Sequence, residues 1–404
     1  MFGMRYSVKR HPAVDNSFAL LALFLSPSKT GKTKDGLRRL ISENKIHWES
    51  LLFQANTHMC TPLWFSCLRQ DGLLALLPDE LQKYLEHLFE LNRERNVSFF
   101  NALEQMLEVF EKNGIRPLLL KGAAAFCDGL YPDHGARLVQ DIDVLVPESD
   151  AERAGRVLKD CCGYVEIPDP GKEFDNLPTD VRHHHINGLH KPGTPVVIEI
   201  HYRIGYARLG KLLPAETARE NTEALRFRGQ EAAVLSPTYR LIHNTVHALI
   251  GEADFIRGPV PLRQLAEFAF LAKKYESKIS WRKWFEACRD EGAGTEAGAY
   301  LLLAHRLMGM PLPDGVPVSV MARFHAARLK AAGRFSATHE DVPKSGREKI
   351  LGPCIRSLVK AYYLLSLPAW TWQNVCFTGE KGHFTARLKF MIRKALSPRS
   401  REKI

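Results

Sequence analysis

The sequence has no pair of cysteines in a CxxC arrangement, and its eight cysteines are scattered without the spacing of zinc ligands. We therefore expect no zinc site built on cysteine, and we interpret these residues as reduced thiols of a cytoplasmic protein. The adjacent Cys161 and Cys162 cannot readily bridge each other in a relaxed backbone. Packing at the end of a helix is their expected role.

The sequence also has no run of roughly 18 uncharged apolar residues, the length that a membrane-spanning helix needs. We therefore expect a soluble protein without an integral membrane segment. The apolar stretch Ser17–Ser26 follows basic residues as in a signal peptide, but Asp15 intervenes and no small-residue cleavage pattern follows it. This stretch predicts a buried amphipathic helix.

Acidic residues are outnumbered: 56 lysines and arginines face 45 aspartates and glutamates, giving a net charge of +11. A basic surface attracts polyanions such as nucleoside triphosphates, tRNA or anionic lipid, but the charge does not choose among them. Solvated tails are the simplest interpretation of the excess positive charge, because much of it lies near the two ends of the sequence. These basic residues are Lys9, Arg10, Lys29, Lys32, Lys34, Lys389, Arg393, Lys394, Arg399, Arg401 and Lys403. Aromatic residues beside the basic C-terminus (Tyr362, Tyr363, Trp370 and Trp372) leave a weak peripheral membrane contact open.

Apolar periodicity divides the chain into four parts. Residues 1–113 form a predicted N-terminal helical region, in which the spacing from Leu81 to Lys112 predicts one long helix that Asn113-Gly114 ends. Residues 114–235 alternate short apolar runs with helical spacing, which predicts an α/β core. Helices return over 236–331, and 332–404 predicts a linker and a basic helical tail.

Four segments of the α/β core predict strands: Pro117–Leu120, Ile142–Val146, Tyr164–Ile167 and Val196–Tyr202. Pro147 closes the second of these strands, and Ser149 or Asp150 is expected to cap a helix that runs to about Cys161. After the core, helices are predicted over Pro237–Ile250, Pro261–Tyr275, Trp281–Asp290 and Thr295–Met308.

Three acidic residues carry the chemical signal. Asp141 and Asp143 are two apart on a predicted strand, so they share one face with α-carbons about 6.5 to 7 Å apart. Ionised carboxylates on an apolar strand are costly unless they are paired or bind a metal. Mg²⁺ or Mn²⁺ is the predicted partner, because hard cations prefer oxygen ligands and share them with phosphates. Glu199 would add the third carboxylate; the alternative is a surface pair of aspartates and an unrelated glutamate.

A possible phosphate-binding turn precedes these acids. Gly122 follows a predicted strand and begins a helix, where backbone N–H groups can bind triphosphate oxygens, and Lys121 adds a cation. Arg137 either contacts phosphate or balances the acidic site. His201 shares a strand face with Glu199, so it either orients substrate or is a hydrogen-bonded core histidine.

Three segments together, LLLKGAAAF, LYPDHGARLVQDIDVLV and VVIEIHYRI, resemble an uncharacterised bacterial nucleotidyltransferase family of the DNA polymerase β-like superfamily. The resemblance covers about residues 84–275 and implies an α+β fold, with a small mixed β-sheet core embedded between N-terminal and C-terminal helical regions. It implies Lys121 and Gly122 at a phosphate-binding turn, Asp141 and Asp143 as the metal pair, and Glu199 as the third acid. At the turn, Ala123 replaces the serine or glycine of many superfamily members, and Tyr202 replaces a tryptophan.

Other polar clusters are weaker signals. Consecutive histidines on a strand point to alternating faces, so a zinc site at His183, His184 and His185 with His190 is not favoured over a strand facing the cleft. His243 and His247 are four residues apart but lack the glutamate of a zinc protease motif. Their expected role is therefore helix packing or a polar patch that faces the substrate.

The sequence thus predicts transfer of a nucleoside monophosphate from an NTP to a hydroxyl or phosphate acceptor, with release of pyrophosphate. The acceptor stays open among a small molecule, a protein and tRNA. The alternative is a degenerate member that binds nucleotide or a partner without turnover, and Ala123 motivates it.

Overall fold

The computed structural model describes residues 16–167, 184–205, 208–251 and 260–336. Its α-helices are α1 (Ser17–Leu25), α2 (Gly31–Ser42), α3 (Trp48–Thr57), α4 (Thr61–Gln70), α5 (Asp79–Lys112), α6 (Lys121–Cys127), α7 (Glu148–Cys162), α8 (Arg208–Leu212), α9 (Ala215–Glu220), α10 (Pro237–Thr245), α11 (Leu262–Lys274), α12 (Trp281–Asp290), α13 (Gly294–Met308) and α14 (Val320–Ser336). Its strands are β1 (Leu118–Leu119), β2 (Ile142–Leu145), β3 (Val165–Glu166), β4 (Leu189–His190), β5 (Val197–His201), β6 (Thr222–Phe227) and β7 (Gln230–Leu235).

Within these residues, the strands form one seven-stranded mixed sheet in the order β3-β4-β5-β2-β1-β7-β6. The two central strands, β2 and β5, pair in parallel, and β1 pairs antiparallel with β2 and parallel with β7. The expected α+β class with a mixed sheet is therefore confirmed. All four predicted strands form, although the first and third are only two residues long.

The long predicted helix is confirmed as α5, which begins at Asp79 and ends at Lys112. Asn113 caps its C-terminus, and Gly114 then adopts a left-handed φ of 66°, which glycine tolerates without a steric penalty. At about 1.5 Å per residue, this helix is long enough to contact both the sheet and the other helices.

Two hydrophobic cores lie along α5, one at its N-terminal half and one at its C-terminal half. One surrounds the sheet, with the C-terminal half of α5, α6 and α7 packed on it. The other joins the N-terminal helices α1–α4 to the C-terminal helices α10–α14. The regions before and after the sheet therefore share buried apolar surface, while the boundaries at residues 113, 235 and 331 stay a prediction.

Two asparagines of α5 hold the loop that leads into β2. The Asn92 side-chain amide donates to the carbonyls of Gly135 and Arg137 at 2.7 and 3.1 Å. The Asn96 amide donates to the carbonyls of His134 and Arg137 at 2.6 and 2.9 Å. Both side chains are buried, so these bonds fix the loop against the helix.

We expect Asn96→Ala to lower the free energy of unfolding by about 2 kcal/mol, because it removes the two hydrogen bonds of a buried amide, those to the carbonyls of His134 and Arg137. Urea denaturation measures the change, and the exposed Glu94 on the same helix gives a control, Glu94→Ala, expected within about 0.5 kcal/mol of the wild type. Equal effects of the two substitutions would contradict this role of Asn96.

Several expectations need correction. The Ser17–Ser26 helix is not amphipathic, because α3, α4, α11, α13 and α14 surround it and bury residues on most of its faces. Pro147, rather than Ser149 or Asp150, is the N-cap of α7, since the proline fixes the extended backbone that precedes the first turn. The helix predicted over Pro237–Ile250 stops at Thr245 and continues as a wider π-helical turn, Val246–Gly251. The Thr245 hydroxyl donates to the Leu241 carbonyl, a bond that bends helices.

Helix α14 runs to Ser336, so residues 332–336, the first residues of the predicted linker, are helical. Lys29 is not in a solvated tail: it is buried and, with Lys34, pairs with Asp71 at 2.9 Å. The basic C-terminal residues, His183, and the aromatic segment at Tyr362–Trp372 lie outside the described residues.

None of the described helices is long and apolar enough to cross a membrane. All six described cysteines are free thiols. Cys162 is buried as expected, whereas Cys161 at the same helix end is exposed and does not pack in the core.

Candidate active site

Two carboxylates face each other across the parallel strands β2 and β5. The register places Asp143 opposite Glu199, and the Asp143 side chain is 1% exposed while that of Glu199 is 28% exposed. His201 follows two residues after Glu199 on the same face of β5, as the strand period predicted. Its Nε2 lies 2.9 Å from Asp143 Oδ1 and 3.4 Å from Glu199 Oε2.

Lys121 adds a cation to this cluster. It begins α6, and its Nζ donates to Asp143 Oδ1 at 2.6 Å. Its φ is 43°, a left-handed value that is unfavourable for a residue with a side chain. Such strain persists only where the surrounding structure holds it, which is common at functional sites. In this chain, the unusual backbone of the predicted turn therefore belongs to Lys121 and not to Gly122.

The charges of the cluster shift each other's pKa values. Burial opposes ionisation of Asp143, but the Lys121 ammonium and the hydrogen bond with His201 outweigh it and hold the pKa of Asp143 well below its ordinary value. The hydrogen bond with His201 also lowers the pKa of Glu199. Burial works against the charged form of His201, yet its bonds to both carboxylates raise its pKa. His201 Nε2 therefore lies between two carboxylates that both favour the charged form of the imidazole.

Asp141 differs from the other two carboxylates, because its pKa is raised and not lowered. It lies just before β2 and lines the cavity, where burial and then the negative charge of Asp143 raise the pKa of Asp141 to about 6. Two neighbouring carboxylates with pKa values pushed apart are a common feature of acid–base and metal sites.

The cluster has the donor set for a divalent cation. One oxygen or nitrogen from each of Asp143, Glu199 and His201 lies within 4.8 Å of the others. Asp143 Oδ2 is buried and has no hydrogen-bond partner among the described residues, so one carboxylate oxygen is left for a further ligand. This grouping has His201 where the sequence predicted Asp141, and binding of a metal by any of the four residues stays a prediction.

A cavity of about 460 Å³ opens above the cluster. The sheet and α6 form one wall. The opposite wall comes from α10, the π-helical turn and α11, and includes Arg240, His243, Asn244, His247, Arg263, Gln264 and Glu267. Apart from the polar patch considered at His243 and His247, sequence reasoning missed this wall. The feature of the sequence that could have revealed this wall is the spacing of three and four between polar residues on otherwise apolar helices.

Arg137 lines the cavity but does not pair with the aspartates of β2. Its Nε donates to Glu267 Oε2 at 3.2 Å, and both side chains are 10% exposed. Tyr131 also donates to Glu267, at 3.3 Å. The acid that Arg137 balances therefore comes from α11, far along the sequence.

Gly122 lines the cavity and also packs closely against a neighbouring loop, whereas Ala123 does not line the cavity. A Cβ added to Gly122 would lie 3.0 Å from Val139 Cγ2, so the glycine allows α6 to approach the loop before β2. The Ala123 methyl is buried in the core around the sheet, and Ala124 lines the cavity instead. A hydroxyl missing from position 123 therefore leaves no gap in the cavity wall.

Two histidines of the predicted cluster also reach this site. His185 forms an isolated antiparallel bridge with His201, whereas the strand that precedes β5 is the short β4. The ring centroids of His184 and His185 lie 5.1 and 5.2 Å from that of His201, and both side chains line the cavity.

The raised pKa of Asp141 gives a pH-dependent prediction. The native state holds this proton more tightly than the unfolded chain does, so the group stabilises the protein below its ordinary pKa of 3.8 and this stability is lost as the pH rises through about 6. At pH 8 with EDTA present, we expect the free energy of unfolding of the Asp141→Asn variant to exceed that of the wild type by on the order of 1 kcal/mol. This difference should become smaller towards pH 4. Urea denaturation across this range measures it. The exposed Asp160 gives a control, Asp160→Asn, and a gain at Asp141 that does not vary with pH would contradict the prediction.

Comparison with families of known proteins agrees with the site. The model of a family described as an uncharacterised nucleotidyltransferase matches residues 44–309, well over half of the chain, and this range contains every residue that lines the cavity. Comparisons with curated proteins and with solved structures give no match. The chain therefore belongs to this uncharacterised nucleotidyltransferase family.

Proposed function

We propose that this protein transfers a nucleoside monophosphate from an NTP to a hydroxyl or phosphate acceptor with release of pyrophosphate, using the catalytic arrangement of DNA polymerase β-like nucleotidyltransferases. The observation that carries the proposal is the pairing of Asp143 with Glu199 across two parallel strands, with His201 beside both, at the base of a cavity. The family match supports the class of reaction.

The carboxylates of Asp143 and Glu199 would hold the cation in this proposal, and Asp141 would join them once it loses its proton. A bound Mg²⁺ or Mn²⁺ would supply positive charge to the reacting phosphate, the acceptor oxygen and the leaving pyrophosphate.

The chain's own residues have separate roles. Lys121 neutralises Asp143 before substrate enters, and its ammonium is placed to contact a phosphate oxygen beside that carboxylate. Glu199 is the more exposed carboxylate of the pair, so it is the group placed to accept the proton of an acceptor hydroxyl. His201 keeps both carboxylates oriented through its Nε2. Gly122 and the backbone of α6 would complete the phosphate-binding turn, with Arg137 contributing positive charge.

The alternative is a protein that binds nucleotide without turnover. The argument for it was the alanine at position 123, and this argument is weakened because the Ala123 methyl lies in the core and not in the cavity wall. That alternative predicts binding of an NTP with no pyrophosphate formed.

The test is release of pyrophosphate from each of the four ribonucleoside triphosphates, with Mg²⁺ or Mn²⁺ and a fractionated cell extract as the source of acceptor. Wild type is compared with Asp143→Asn and with the exposed control Asp160→Asn. Release that requires Asp143 supports the proposal. Release that is absent from the wild type, in a folded protein that binds NTP, would support the binding protein instead.

A further inference from the structure

The two ends of the cavity carry opposite charge. At the end formed by the sheet, the charges that act on Lys121 are those of Asp143, Asp141 and Glu199. At the end formed by α11, the charge that acts most on Arg263 is that of another cation, Arg137. One end therefore suits cations, and the other has cationic charge to be neutralised.

Arg263 forms no ion pair with an acidic side chain among the described residues. Its Nη1 contacts the Met59 sulfur at 3.9 Å, and its Nε is buried without a hydrogen-bond partner among the described residues. The nearby Glu267 carboxylate already accepts from Arg137 and Tyr131. Burial, followed by the charge of Arg137, lowers the pKa of Arg263 to about 10, so the guanidinium stays charged at neutral pH.

A second polar group beside Arg263 also lacks a partner. The side-chain oxygen of Gln264 is buried with no hydrogen bond in the described part of the chain, although Gln264 lines the cavity. Buried polar groups are normally hydrogen-bonded, and leaving one unpaired is costly. Two adjacent unpaired groups on one cavity wall are the pattern of a site that a ligand completes.

This end is continuous with the acidic end, because Arg263, His247 and Lys121 line the same cavity. A molecule in the cavity can therefore reach Arg263 with one part while another part lies at the carboxylates.

We propose that Arg263 and Gln264 form a binding site for an oxyanion at the helical end of the cavity, with the Arg263 guanidinium contacting its oxygens and the Gln264 side chain bonding to a neighbouring polar group of the same ligand. Planar guanidinium groups bind phosphate and carboxylate oxygens in pairs, and their bonds are strongest where water is excluded. The site rests on the proposed function for the identity of its ligand: the oxyanion belongs either to the triphosphate of the NTP or to an anionic acceptor.

The test isolates this site from metal chemistry. Binding of inorganic phosphate is measured by calorimetry at low salt with EDTA present, since the carboxylates then repel anions. We expect Arg263→Gln to weaken phosphate binding roughly 10- to 100-fold, and Arg263→Lys to weaken it less. Arg282, whose side chain is 85% exposed, gives the control Arg282→Gln, which should bind as the wild type does. Melting temperatures establish that each variant is folded, and Arg263→Lys keeps the test valid if Arg263→Gln does not fold.

A second arm identifies the ligand. Phosphate binding is repeated with Mg²⁺ and an NTP analogue that resists cleavage. Displacement of phosphate by the analogue assigns the site to the triphosphate, whereas simultaneous binding assigns it to an anionic acceptor.

Wild-type affinity in folded Arg263 variants, or no phosphate binding by the wild type, would overturn this inference. Failure of the proposed function has a different signature, because Asp143→Asn would then leave pyrophosphate formation unchanged while phosphate binding still depended on Arg263.

Discussion

Asp143→Asn is expected to lower the rate of NTP-dependent pyrophosphate release by about 10³-fold or more. A carboxylate-bound cation is worth several kcal/mol to the transition state of phosphoryl transfer, and each 1.4 kcal/mol is about a factor of ten. Asp143 is the carboxylate that Lys121 and His201 both contact, so removing its charge also leaves these two groups without their shared partner. The effect should appear in kcat at saturating NTP.

The substitution keeps the shape of the side chain but removes a buried charge, so the melting temperature of the variant is measured first to establish that it is folded. The assay is the pyrophosphate measurement with matched protein concentrations, and calorimetric titration with Mn²⁺ separates loss of metal binding from loss of chemistry. Asp160→Asn should retain wild-type rates, because Asp160 is exposed on α7, outside the cavity. An Asp143→Asn protein that is folded and within tenfold of the wild-type rate would rule out a required metal carboxylate at this position.

Glu267→Gln is expected to lower the free energy of unfolding by about 3 kcal/mol or more. Glu267 accepts from the guanidinium of Arg137 and from the hydroxyl of Tyr131 in a buried position. Its loss leaves the cations of Arg137 and Arg263 side by side with no carboxylate, and removing one partner of a buried pair is far more costly than losing a surface pair.

Chemical denaturation measures this loss, and the exposed pair of Glu223 with Lys278 at 3.4 Å is the matched control. Glu223→Gln should change stability by less than about 1 kcal/mol. The double variant Arg137→Met/Glu267→Met should recover much of the loss, because it removes the unpaired charge of Arg137. A single Glu267→Gln variant as stable as the Glu223 control would show that the buried pair does not stabilise the fold.

The local pattern of the sequence was sufficient for the elements and for part of the site. Apolar spacing predicted α5 from near its start to its last residue, because a helix of this length repeats its buried face many times. Alternation over the β5 segment placed Glu199 and His201 on one face, and the structure confirms that both approach Asp143. Apolar residues around Asp143 indicated a buried carboxylate that needs a partner.

The partners themselves were not readable from the sequence. Lys121 was expected to face phosphate, but it also pairs with Asp143, and its own backbone takes the strained conformation. The position of Arg137 four residues before Asp141 suggests balance of the acidic site, yet its carboxylate partner is Glu267 on α11. The spacing of residues along the sequence does not encode such contacts, since any nearby carboxylate could neutralise the charge of Arg137.

The sequence by itself thus determined most of the helices, four of the seven described strands and which strand faces carry charge, because these follow from interactions among neighbours a few residues apart. Only the tertiary structure decided that β2 and β5 pair in parallel with Asp143 opposite Glu199. It also decided that α10 and α11 close the cavity, where Arg263 Nε is buried without a hydrogen-bond partner in the described part of the chain. Those outcomes depend on packing between segments more than 50 residues apart, such as His201 with Asp143 at a separation of 58. Strand register and helix docking are set by the whole buried surface and not by any one segment.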